Sequence, residues 1–180
     1  MPSQSQSERP SAASLASWAR PLVESLPEPI RRVLALLKVD LEPAEDQPPW
    51  TLFVVALVLA LVASLASDAI LVAVGSTIFP SVRDFPHFQF SDYGKLTVIG
   101  VSIACLAWPV VTRFSSQPRW LFLRLATVVT LFLWAPDLWI LVHGEPLRGV
   151  GVLMLMHLAI AFITYNALVR IAPARGPTST

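Results

Sequence analysis

Two hydrophobic patterns follow one another along this chain. In residues 18–41, Leu22, Leu26, Ile30, Val33, Leu34, Leu37 and Leu41 recur at steps of three and four, the signature of one face of a helix. Pro21, Pro27 and Pro29 break its early part, so the firm helix is expected over 29–39, with Pro29 in the first turn where its missing amide hydrogen does no harm. Beyond an acidic, proline-rich linker at 42–49, four stretches are apolar on every face: 50–74, 96–114, 120–142 and 149–171. Each is near the ~20 residues that cross a bilayer as a helix. A spanning segment must satisfy its own backbone, so helix is the only consistent reading. The pattern predicts an all-α fold, a four-helix transmembrane bundle preceded by a short interfacial amphipathic helix.

The amphipathic segment is too short and too polar to span. Arg31, Arg32 and Lys38 lie off its apolar stripe, as in a helix lying in the headgroup plane with its basic residues on anionic lipid. A docking helix for a partner protein is the alternative. Residues 1–17 are Ser, Gln, Pro and Ala and are expected to be disordered. The transmembrane domain is expected over 50–172, with a cytoplasmic tail at 173–180. The first 49 residues lack a basic region followed by an apolar one, so the first span is expected to act as an uncleaved anchor.

Composition agrees: of 180 residues, 54% are hydrophobic and 14% charged, against about 25% charged in soluble domains. Net charge is +1, which gives no basic field for nucleic acid. The placement of the charges says more. Arg31, Arg32, Lys38, Arg113, Arg119, Arg124, Arg170 and Arg175 fall on one side of the spans, and Arg83, Lys95 and Arg148 on the other. That bias puts both termini in the cytoplasm, with Trp50 and Trp120 as anchors at the inner boundary. Arginine outnumbers lysine eleven to two, which together with abundant Ala and Val suggests a high-GC bacterial source.

Polar residues at membrane depth need an account, because an ionisable group at the centre costs roughly 2.5–3.5 kcal/mol. At a rise of about 1.5 Å per residue, Asp68 and Asp137 fall roughly 9 Å beyond the midplane and His157 about 4.5 Å on the same outer side. Ala56, Ala60, Ser64 and Asp68 form a small-residue stripe on the first span. Thr127, Thr130, Trp134, Asp137 and Leu141 share a face of the third span, and His157, Ala161, Thr164 and Leu168 one of the fourth. On the second span Gly100, Ala104 and Trp108 offer the packing face. Asp68, Asp137 and His157 are thus expected to point inward as one polar cluster, with Asp92 and His143 near the mouth of a cavity. Interhelical hydrogen bonding, a small-molecule, lipid or proton site, and a metal site compete for it; no metal is expected, since no local ligand spacing supports one.

Other features read plainly. Cys105 is expected to be a small buried hydrophobe. Arg113, Arg124 and Arg170 can snorkel to the inner boundary, while Tyr165 and Asn166 are expected to bond neighbouring helices. The aromatic-rich 75–95 segment (Phe79, Phe85, Phe88, Phe90 and Tyr93) should fold back on the bundle or dip into the outer headgroups, with a partner-binding loop as the alternative. Ala66–Leu71 resembles Ala135–Ile140, which would suit a duplicated helical hairpin. No nucleophile elbow, phosphate loop, dinucleotide fingerprint, HExxH or CxxC is present, so no catalytic residue and no cofactor are expected.

Residues 50–172 resemble a family of small, uncharacterised four-helix membrane proteins from actinobacteria. The residues that carry this are Asp92-Tyr93-Gly94, Ala107-Trp108-Pro109, Asp137 and Leu155-Met156-His157-Leu158. The resemblance implies an inner-membrane location and four helices, and supplies no activity. The expected function is non-enzymatic: an accessory subunit of a larger complex or a binder of a lipophilic ligand. The alternative is a small transporter or proton-coupled carrier using Asp68, Asp137 and His157. Expected partners are the lipid bilayer and another membrane protein or a second copy, with no nucleic acid.

Overall fold

The computed structural model describes residues 21, 23–37, 39, 43–44 and 46–174. The 1–17 tail, Lys38, Arg175 and residues 175–180 lie outside them. Among the described residues the fold is built of helices: α1 (Glu28–Leu37), α2 (Trp50–Ile78), α3 (Phe90–Phe114), α4 (Pro118–Val142) and α5 (Leu147–Ile171). The last four are each long and apolar enough to cross a membrane, as the all-round apolar stretches require.

Helix ends run past the apolar windows where polar residues can still sit on a helix. α3 begins at Phe90, because Asp92 and Lys95 take its exposed side while Tyr93, Gly94 and Thr97 are buried. α2 continues through Ser76 and Thr77 to Ile78, and the Thr77 hydroxyl donates to the Ala73 carbonyl at 2.7 Å. α4 ends differently. Gly144, at φ 101°, closes a Schellman turn in which its N–H reaches the Leu141 carbonyl and that of Glu145 reaches Ile140. A residue with Cβ would be strained at that φ.

The most extensive contact is between α2 and α5, with α4 on α5 and α3 on α2 to either side, and α3 touching α4 more lightly. The small-residue stripe makes this possible: Ala56, Ala60, Ser64, Asp68 and Gly75 are all buried. A Cβ at Gly75 would come within 2.8 Å of Val152 Cγ2, so the Val152 side chain packs directly on the glycine backbone. A duplicated hairpin with two-fold packing would make the α3–α4 contact equal to that of α2 with α5, and it does not.

On α3 the buried face is Thr97, Val101, Cys105, Trp108 and Thr112. Gly100 is exposed, with nothing within 4 Å of a Cβ placed there, and Ala104 is half-buried. The packing face thus lies about one position round from the small residues. Large side chains of α3 fill the space that the small ones of α2 leave. Cys105 is a buried free thiol, as its setting predicts.

Two apolar clusters hold the bundle. One gathers Phe53, Val101, Trp108, Leu121, Phe122 and Leu168 at the end where α2 and α4 begin. There Trp108 Nε1 donates to the Ala172 carbonyl at 2.9 Å, and Thr112 donates to Gln47 Oε1 at 2.8 Å, tying the segment before α2 to α3. At the opposite end the 79–89 connection folds back on the bundle, one of the arrangements expected: Val82, Phe85 and Phe88, with Tyr93 of α3, pack against Val150, Val152 and Met156.

α1 touches α4, and none of its residues is buried. Ile30, Val33 and Leu36 stay exposed. Glu28 pairs with Arg31 and Arg32 on the polar side. The Arg32 guanidinium foremost, then Arg31, holds its carboxyl below the usual carboxylate range.

Candidate functional site

Between the two apolar clusters lies a polar layer to which each spanning helix contributes. Asp68 comes from the buried stripe of α2 and has no exposed surface. The Thr97 hydroxyl of α3 donates to its Oδ2 at 2.6 Å. Asp137 of α4 faces His157 of α5, with Oδ2 and Nδ1 at 2.9 Å. Asp137 is 8% and His157 26% exposed at the side chain, so this pair is largely shielded. Asp68 is within electrostatic reach of His157 and Tyr93. The three ionisable residues singled out by depth are therefore brought into one region.

The two contacts differ in kind. Thr97 to Asp68 is a directed hydrogen bond from a neutral donor. The Asp137–His157 distance is that of an ion pair, but the ring N–H is not aimed well enough at the oxygen for a hydrogen bond, and neither atom has another partner. Lone pairs would repel at that separation, so one proton must lie on one of the two groups. Asp68 has only a hydroxyl on one oxygen; its Oδ1 is enclosed without a partner, as are Ser64 Oγ one turn away on α2 and Thr164 Oγ1 on α5. A buried polar atom left unpaired costs about 1–3 kcal/mol, so the layer is held at a cost.

Asp92 and His143 do not join this layer by any hydrogen bond or ion pair. Asp92 pairs with His87 at 3.2 Å, on the connection that precedes α3. His143 caps α4: its Nδ1 meets the Trp139 carbonyl at 2.8 Å, which requires the proton on Nδ1. Among the described residues no three His, Cys, Asp or Glu side chains converge as metal ligands.

A second site was not singled out from the sequence. At the end where α4 begins, a groove of about 500 Å³ is lined by Arg119 of α4, by Tyr165, Asn166, Val169 and Arg170 of α5, and by Pro173. Tyr165 also borders an apolar slot of about 230 Å³ between α4 and α5, with Leu123, Thr127 and Leu131 on one wall and Leu158, Ala161 and Phe162 on the other. Tyr165 stacks on Phe122, and Asn166 Nδ2 donates to the Phe162 carbonyl of its own helix at 2.7 Å. Asn166 thus bonds within α5 and not across to a neighbour. Arg124 lies over the Trp120 ring at 5.7 Å, with Nη1 enclosed and without an acceptor. Among the described residues no carboxylate pairs with Arg119, Arg124 or Arg170. No family model, no curated protein and no solved structure matches the chain.

Proposed function

We propose that the chain is a non-enzymatic, multi-pass protein of a bacterial cytoplasmic membrane, both termini cytoplasmic, that binds a lipophilic ligand from the bilayer. The slot between α4 and α5 carries this reading. It is apolar, faces outward from the bundle, and continues at Tyr165 into the polar groove, so it suits a molecule with a greasy tail and a polar head. The polar layer then acts as a clasp that sets which helices neighbour which. Arg31, Arg32, Arg113, Arg119, Arg124 and Arg170 gather at the groove's end of the bundle, which supports a cytoplasmic orientation for that end. α1, with Ile30 and Val33 exposed on one face and Arg31 and Arg32 off that face, suits the adjoining headgroup plane.

Native mass spectrometry of the full chain, extracted from its own membrane in mild detergent, tests the proposal. The expected result is one retained lipophilic molecule per chain, lost when Ala161→Phe fills the slot. A stoichiometric protein partner with no such molecule would favour the accessory-subunit role instead. A bare chain would remove the binder.

A proton-coupled carrier is the second reading. It is favoured by the Asp137–His157 pair, a carboxyl and an imidazole 2.9 Å apart, beside the unpartnered Asp68 Oδ1. Proteoliposome flux separates the two: a carrier loses proton-driven uptake in well-folded Asp68→Asn and Asp137→Asn variants, and a binder shows no flux to lose.

A further inference from the structure

The slot explains recognition of a tail and says nothing of the head. At its mouth stand Arg119 in the first turn of α4 and Arg170 in the last turn of α5, two exposed guanidiniums from different helices lining one groove. Arg124 lies one turn further along α4 from Trp120, with an enclosed Nη1 that has no acceptor. No carboxylate among the described residues pairs with any of the three. Unpaired positive charge around a groove is complementary to an anion, and guanidinium forks match phosphate oxygens in particular.

We propose that this groove takes the phosphate of an anionic phospholipid, with Arg119 and Arg170 on the headgroup and an acyl chain along the slot between α4 and α5. The inference rests on the reading of that slot as a lipophilic site, and adds the class of ligand. A zwitterionic head is disfavoured because its ammonium would meet the arginines without a carboxylate to receive it. Asn166 commits its amide N–H to the Phe162 carbonyl and so turns its acceptor oxygen free, which suits a headgroup that carries a hydroxyl. Tyr165 borders both groove and slot, an apolar ring with a polar tip at the level where head gives way to tail. A free inorganic anion would use the arginines but leave the slot empty, so the lipid is the better match. The rival account has both arginines simply snorkelling to the headgroup region, with no lipid preferred.

The test is a lipid titration of the detergent-purified full chain, read by native mass spectrometry. The probes are phosphatidylglycerol and phosphatidylcholine with identical acyl chains. Phosphatidylglycerol is expected to bind at the lower concentration. The paired variant Arg119→Gln/Arg170→Gln should weaken it roughly 25-fold, about fivefold for each arginine, and leave phosphatidylcholine unchanged. Both side chains are exposed and unpaired, so the variant should fold. Arg83→Gln/Arg148→Gln, at the opposite end, serves as the control and should leave phosphatidylglycerol binding intact. Equal binding of the two lipids to the unaltered chain would overturn the headgroup assignment while the lipophilic site stands. An equal loss in the control variant would overturn the location. Binding of neither lipid would remove both the inference and the reading beneath it.

Discussion

The hairpins α2–α3 and α4–α5 both place an aspartate in the first helix and its partner in the second, and they differ in what the partner can do. Thr97 offers Asp68 a neutral hydroxyl that serves one oxygen. His157 offers Asp137 a group that can carry charge. The connections differ in the opposite sense. α2 and α3 are joined through a packed aromatic cap in which Phe85 and Phe88 meet edge to face, whereas α4 and α5 are joined by a tight turn closed by backbone bonds at Gly144. One hairpin is thus held mainly by apolar packing at its tip, the other by an electrostatic contact within its length. Substitutions at the tip and at the layer should therefore rank differently in the two.

The largest effect is expected at the aromatic tip. Phe85 is 5% exposed and packs against Gly149 and Phe88, so Phe85→Ala should cost about 3 kcal/mol in a denaturation titration of the detergent-solubilised chain. If it costs less than Thr97→Val, the α2–α3 hairpin does not depend on its cap. Next comes His157→Leu. It leaves Asp137 without a counter-charge, at about 2 kcal/mol, below the usual figure for a buried pair because His157 retains some exposure. The same titration checks it, and a loss under half that size would mean that the ion pair contributes no more than a surface contact.

How far the sequence foretells this arrangement depends on the kind of signal. The spans follow from uninterrupted hydropathy, and the α2 face follows from small residues every fourth position, because close backbone approach demands them. Helix depth alone brings Asp68, Asp137 and His157 to one region. On α3 the expected face is Gly100, Ala104 and Trp108; Trp108 is buried as expected, while Gly100 is exposed and Thr97 is buried instead. Smallness marks a packing face only where two backbones are close; elsewhere large residues fill the gap. Thr97 carries no periodic signal of its own, since threonine is neutral in an apolar helix. The arginine groove was missed for a different reason. Arg119 and Arg170 each snorkel acceptably alone, and only the packing of α4 on α5 shows that they share a groove.

A smaller step is expected at Thr97→Val, which keeps the shape and deletes the hydroxyl. Asp68 then has no donor on either oxygen. The loss should be about 1 kcal/mol, as for a typical interhelical hydrogen bond within a membrane. Thr97→Ser should restore most of it, a rescue that a purely steric role for the methyl group would not give.

The smallest effect, and the sharpest for the comparison, is that of Asp68→Asn. The amide keeps a carbonyl oxygen to accept from Thr97 and puts a donor where Oδ1 has no partner. It also removes an ionisable group from the apolar interior, where charge is costly. These gains and losses should offset to within about 0.5 kcal/mol. Asp137→Asn, measured beside it, should lose more, since the amide cannot balance a charged His157. The contrast rests on treating the hairpins as separate. Because His157 is within electrostatic reach of Asp68, the three groups can also act as one coupled set. In that case the two asparagine variants would cost the same, and the double variant would cost less than their sum. That result would replace the picture of two independent clasps with one shared polar centre, and it would move the proton-coupled reading ahead of the binder.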